Sequence, residues 1–149
     1  MQKFGIGQPA TRFEDGRLLS GKGRYVEDIE LENQSFATFV RSPHAHAEIK
    51  SVDTEEAKSM PGGLGIYTVA DLQDEGIGNS PCMAPANNND GSPCVMPPRP
   101  ALADAKVRHV GDAVAIVIAE TREESIDAAE QVWIDYEILP AVVETNQAT

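Results

Sequence analysis

Positive charge is scarce in this 149-residue chain: 12 Lys+Arg face 24 Asp+Glu, a formal net charge of −12. No run of lysines or arginines gathers the few cations onto one stretch, so a polyanion would be repelled, and nucleic-acid binding is excluded as an expected function. Long apolar runs are missing too. The longest, Ala113 to Ala119, has seven residues, far short of the roughly 20 that cross a bilayer, and no apolar core of signal-peptide type stands at the N-terminus. A soluble, cytoplasmic protein without a membrane segment is expected. Cysteine is limited to Cys82 and Cys94, which in a reducing compartment stay as thiols. Neither C-x-x-C nor H-x-x-x-H occurs among these and the three histidines, so no metal site is predicted.

What is present is ordinary for one globular domain: 41% hydrophobic and 24% charged residues. The clearest unit runs from Val107 to Leu139. Val107–Val110 reads as a short strand, Gly111-Asp112 as a turn, and Ala113–Ala119 as a strand so uniformly apolar that both of its faces must be covered. Thr121 stands three positions before Glu124, the spacing of a capping box, and Ile126, Ala129, Val132 and Trp133 follow at helical intervals, predicting a helix over 122–132. Ile134, Tyr136 and Ile138 then alternate with Asp135 and Glu137, a half-buried strand that Pro140 ends.

An echo of this unit lies 67 positions earlier. Phe36–Arg41 and Ala47–Val52 read as strands, Asp53-Thr54 opens a short helix through Met60, and Leu64–Val69 is a further strand. The offset sets Ile49 against Ile116 and Thr54 against Thr121. A hairpin, a capped helix and a strand occur in both halves, through either an internal repeat or the common chemistry of strand-to-helix junctions. The expected class is α+β, a mixed β-sheet with two main helices. Between residues 73 and 98 the pattern dissolves into Gly, Asn and Pro, a long functional, interface-forming or disordered loop. It is not a calcium loop, because the Gly91 register puts Ala86 at the first ligand position and Pro97 at the twelfth.

Candidate chemistry is thin. Gly5-Ile6-Gly7-Gln8-Pro9-Ala10 matches a dinucleotide fingerprint, but no buried strand feeds it and no apolar-faced helix follows. Glu55-Glu56 and Glu123-Glu124 suit the positive ends of helix dipoles better than acid–base dyads. His44 and His46, beside Arg41, could share a strand face. No Ser or Cys nucleophile motif accompanies them, so a tight connection that hydrogen-bonds carbonyls or a neighbouring domain is favoured. Residues 1–24 carry +3 and the remaining 125 carry −15. This basic N-terminal arm, with Arg12, Arg17 and Arg24, lies on the domain's own acidic surface or docks on another subunit.

The segments Gly7-Gln8-Pro9, Arg17-Leu18-Leu19, Gly23-Arg24-Tyr25, Arg41-Ser42-Pro43-His44-Ala45-His46-Ala47, Arg99-Pro100-Ala101-Leu102-Ala103, Val110-Gly111-Asp112, Ala119-Glu120-Thr121, Asp135-Tyr136-Glu137 and Leu139-Pro140-Ala141-Val142-Val143 are collinear with a known pattern. Together the chain resembles the N-terminal part of the large, molybdenum-binding subunit of the xanthine dehydrogenase/aldehyde oxidase/carbon monoxide dehydrogenase family. The resemblance implies an α/β-hammerhead domain over residues 25–149, with 1–24 as an arm of the same domain. It also implies a parent enzyme that holds molybdopterin, commonly as the cytosine dinucleotide, and hydroxylates a substrate carbon with oxygen from water. Electrons would pass to iron-sulfur clusters and FAD on partner subunits, in the bacterial arrangement of separate chains. The family's pterin-binding loops, substrate pocket and catalytic Glu lie in domains downstream of Thr149, so no catalytic, cofactor-binding or metal residue carries over. The expected partners are the remainder of the large subunit and the iron-sulfur and flavin subunits. Arg12, Arg17, Arg24, Arg41, His44 and His46 are the candidate interface residues. The alternative is a free-standing hammerhead adaptor that binds a protein partner.

Overall fold

A computed structural model describes residue 7, residues 12–84 and residues 86–147. These divide into two compact units, one ending at Gln34 and one beginning at Ser35. The first holds a single-turn helix α1 (Asp15–Leu18) and a 3-10 turn at Val26–Asp28, neither of which buries a residue. Local carboxylates cap both, with Arg12 N–H donating to Asp15 Oδ2 at 3.2 Å and Tyr25 N–H to Asp28 Oδ2 at 2.8 Å. Apart from Gly7, the Gly5–Ala10 fingerprint lies outside the described residues.

The second unit contains β1 (Phe36–Arg41), β2 (Ala47–Asp53), α2 (Glu55–Lys58), β3 (Gly63–Thr68), α3 (Val69–Asp74), β4 (Lys106–Val107), β5 (Ala113–Ala119), α4 (Arg122–Glu130) and β6 (Trp133–Ile138). The mixed sheet expected from sequence is instead two three-stranded sheets, β1-β5-β3 and β4-β2-β6, with every pairing antiparallel. Nor do any two consecutive named strands among the described residues pair as a hairpin. β1 and β2 lie in different sheets, as do β4 and β5. The two connections explain this, because they bond each other: Ser42 N–H donates to Asp112 O and Gly111 N–H donates to Ser42 O, each at 2.8 Å. Each connection thereby sends the strand after it into the opposite sheet, and Gly111, at φ +88°, supplies a turn that a side chain would strain.

The echo at 67 positions is a repeat of topology. Exchanging β1 with β4, β2 with β5 and β3 with β6 converts one strand order into the other. Registers agree only to within one residue. The pair Gly65↔Ile118 maps onto Asp135↔Ser51 when the offset between third strands grows from 67 to 70, which absorbs the longer α4, but Tyr67↔Ile116 maps onto Glu137↔Ile49 while Glu137 pairs with Glu48, because the two sheets carry their bulges at different places. Each half-repeat thus places its central strand between the outer strands of the other.

Burial follows chemistry along these strands. β5 is β-branched and central, and its Ala115, Val117 and Ala119 are fully buried. Beneath it Ala57, Ala128 and Val132 close one cluster, while Ala47, Ala103, Val107 and Val114 form a second under the other sheet. Val52 and Ile134 touch both clusters and join them into one core. α4 begins at the expected capping box, in which Thr121 Oγ1 accepts from Glu124 N–H at 3.2 Å and Thr121 N–H donates to Glu124 Oε2 at 3.1 Å. Its buried stripe differs from the predicted one. Ser125 and Ala128 face inward with Val132, whereas Ile126 and Trp133 are exposed. Ser125 is satisfied there by Thr38 Oγ1 and Arg122 O, each at 2.8 Å, so a polar residue holds the position where periodicity alone favours an aliphatic one.

The two main helices predicted reduce to α4 and a single-turn α2, joined by an α3 that takes over Val69 from the predicted strand. Its signal was in the sequence: Thr68 N–H and Oγ1 both bond Asp71 Oδ2, the same T-x-x-acid box as α4. Within the excursion at 73–98, a local turn is bridged between Asn87 and Pro93, with Asp90 Oδ1 accepting from Ser92 N–H at 2.9 Å and from its Oγ at 2.6 Å.

Candidate interaction surface

Of the six candidate residues, Arg41, His44 and His46 fall on the β1–β2 connection. Arg41 ends β1, with Nη1 donating to Gly111 O at 2.9 Å and its guanidinium 5.3 Å from the centroid of the Phe39 ring. His44 stands edge-on to the Tyr136 ring, with centroids 5.0 Å apart, and its N–H donates to Ser42 Oγ at 3.0 Å. His46 Nδ1 is 2.8 Å from Pro140 O. A carbonyl only accepts, so Nδ1 carries the proton and Nε2 points elsewhere. The two imidazoles therefore serve different partners and do not converge as a catalytic pair. Arg12, Arg17 and Arg24 are exposed in the first unit, where Arg17 pairs with Glu14.

The folded chain adds residues that sequence reasoning missed. An open groove of about 490 Å³ is lined by His46, Arg108, His109, Val110, Val142 and Val143, together with small residues. Arg108 is the counterpart of Arg41 at an offset of 67, so the repeat carried the signal that could have found it. Asp112 orders the far wall, accepting from Arg108 N–H at 3.0 Å, with His109 Nδ1 3.7 Å from the same oxygen. Tyr136 Oη is buried behind this connection, near Ser42, and makes no hydrogen bond of good geometry among the described residues. Its burial raises the phenol's pKa above the ordinary range. The groove presents the Arg108 guanidinium, two imidazoles and apolar walls, and its lining holds no nucleophile–base pair.

The outer faces of the two sheets contrast. On β4-β2-β6, Lys50 Nζ bonds Glu48 at 3.0 Å and also bonds Glu137, while Lys106 Nζ is 3.4 Å from Glu48. Hydrogen bonds from Lys50 and then Lys106 hold the Glu48 carboxyl below its usual pKa, and Lys50 is raised in turn by Glu137. These groups are solvated and screened, so they suit a wet face rather than stabilising the fold strongly. On β1-β5-β3, Phe39↔Ile116↔Tyr67 form one row across the strands and Ala37↔Ile118↔Gly65 the next. Tyr67 folds over Gly65, where a Cβ would lie 2.8 Å from the ring.

No three His, Cys, Asp or Glu side chains come together as a metal site among the described residues. No helix among them is long and apolar enough to cross a membrane.

Comparison with known proteins agrees with this architecture. The family profile described as "Aldehyde oxidase and xanthine dehydrogenase, a/b hammerhead domain" matches residues 20–140. The carbon monoxide dehydrogenase large chain of Afipia carboxidovorans is 41% identical over 97% of this chain and 16% of its own length. The nicotine 6-hydroxylase large subunit of Paenarthrobacter nicotinovorans is 37% identical over 96% of this chain and 17% of its own. Quinoline 2-oxidoreductase from Pseudomonas putida 86 superposes with a TM-score of 0.81 at 34% identity, over 99% of this chain and 18% of that one. The chain thus spans about one sixth of the length of the relatives it matches.

Proposed function

The chain belongs to the aldehyde oxidase and xanthine dehydrogenase family through its α/β-hammerhead domain, and from that premise we propose that residues 1–149 are a non-catalytic structural and interface domain of a bacterial molybdenum hydroxylase large subunit. The carrying observation is the match itself, which takes in nearly all of this chain but about one sixth of each relative. In this reading the parent enzyme oxidises a substrate C–H to C–OH with oxygen from water, releasing two electrons and two protons. Molybdopterin, as its cytosine dinucleotide, is held by the remainder of the subunit, iron-sulfur clusters and FAD sit on partner subunits, and the assembly is cytoplasmic. Residues 1–149, expressed alone, should contain no stoichiometric molybdenum by elemental analysis and should oxidise neither aldehydes nor purines. Molybdenum at one per chain, or sustained turnover, would overturn the proposal.

The basic arm supports a docking role. In a chain of net charge −12, residues 1–24 carry +3, and Arg12, Arg17 and Arg24 supply three of the five cations that would steer this arm toward an acidic surface. Reversing all three to Glu should slow association with the remainder of the large subunit or with the iron-sulfur subunit by on the order of tenfold at low salt, with the difference shrinking as salt screens it. Equal association rates at low salt would show that the arm does not steer assembly.

A further inference from the structure

The central strand β5 is apolar at every position, the pattern of a strand covered on both faces, yet the structure covers one face throughout and the other only at Val114, where the second core cluster reaches it. Ala115, Val117 and Ala119 are buried on the α4 side. On the other side Ile116 and Ile118 are only half-buried, and their neighbours Phe39 and Tyr67 are 44% and 41% exposed. The repeat supplies an internal control. Its equivalent sheet has the same strand order, and there the outer face carries Glu48, Lys50, Lys106 and Glu137 in ion pairs. The fold itself therefore does not require an apolar outer face.

Geometry and charge narrow the occupant. Three strands at about 4.8 Å spacing present a strip roughly 10 Å wide, the diameter of one helix, and α4 already covers the inner face of this sheet in that way. A second copy of the chain would bring two bodies of −12 together. Arg41, at the end of the strip, spends its guanidinium on Gly111 O and the Phe39 ring rather than on a carboxylate. A carboxylate approaching from outside would find it already positioned.

Resting on the large-subunit reading above, we propose that the outer face of β1-β5-β3, centred on Phe39, Ile116, Tyr67 and Ile118, is the seat of one amphipathic helix from the remainder of the large subunit. That helix lays its apolar stripe across Phe39–Ile116–Tyr67 and carries a carboxylate opposite Arg41. Photocrosslinking tests this in the assembled large subunit, with benzoylphenylalanine replacing Phe39 or Tyr67 in turn and Glu137 as the control on the charged sheet. The expected result is that crosslinks from 39 and 67 exceed those from 137 at least tenfold and map to i, i+3, i+4 positions of one segment outside residues 1–149. Crosslinks between two copies of residues 1–149, or yields at 39 and 67 equal to that at 137, would overturn the docking proposal while leaving the large-subunit reading intact. Failure of a tagged chain to assemble with any large-subunit polypeptide would overturn both.

Discussion

Gly62→Ala is expected to destabilise the domain by about 2–3 kcal/mol, in two separable parts. Gly62 sits at φ +71°, where an L side chain is strained by roughly 1–2 kcal/mol. A Cβ there would also lie 2.2 Å from Glu124 Oε2, the atom that closes the capping box of α4 with Thr121. The carboxylate is the end of a flexible side chain, so it would move rather than strain the backbone, and α4 would lose the carboxylate half of its capping box while Thr121 Oγ1 still accepts from Glu124 N–H, a loss of about 1 kcal/mol. A double-mutant cycle in urea separates the two. Glu124→Ala alone should cost about 1 kcal/mol, and Gly62→Ala made in that background should cost only the backbone part, a coupling of about 1 kcal/mol. If Gly62→Ala costs the same in both backgrounds, Glu124 is not what the methyl displaces.

The same capping box shows which parts of the fold sequence reveals. Thr121 with Glu124, the seven apolar residues of β5 and the alternation in β6 are local patterns, and all three elements form within two residues of their predicted bounds. Pairing is not local. Gly111-Asp112 and Ser42-Pro43-His44 both read as turns joining neighbouring strands, and only the bonds between Ser42, Gly111 and Asp112 reveal that each turn hands its strand to the other sheet. The helical stripe failed for a related reason, since Ser125 is buried by virtue of a partner 87 positions away, Thr38. So too with the candidate surface. Arg41, His44 and His46 were visible as a cluster in sequence, but Arg108, His109 and Val142 join His46 only because the exchanged strands bring three separate connections to one end of the fold. The covered-on-both-faces reading of β5 is the instructive case. Its composition is that of a strand covered on both faces, whereas residues 1–149 leave Ile116 and Ile118 half-buried.

Leu102→Ala should cost about 2–5 kcal/mol, the range for truncating a large buried aliphatic side chain without collapse of the cavity. Leu102 is 2% exposed and has the largest volume among the fully buried side chains. Its place in the chain raises the stakes. The excursion that leaves α3 at Asp74 returns through this residue, next to Ala103, whose N–H donates to Ala113 O at 2.6 Å, and Ala105, whose carbonyl accepts from Ile49 N–H at 2.9 Å. One short segment is thus bonded to the central strands of both sheets, with Leu102 as its buried anchor. Domains of this size have about 5–15 kcal/mol in all, so the loss is a large fraction of the total and should lower the melting temperature by roughly 5–15 °C. Met96→Ala, in the same excursion but 55% exposed, should change stability by no more than about 0.5 kcal/mol. Comparing the two melts separates anchor from excursion: if Leu102→Ala melts with Met96→Ala, the two sheets are held together by their shared core around Val52 and Ile134 alone, and the returning segment merely lies against them.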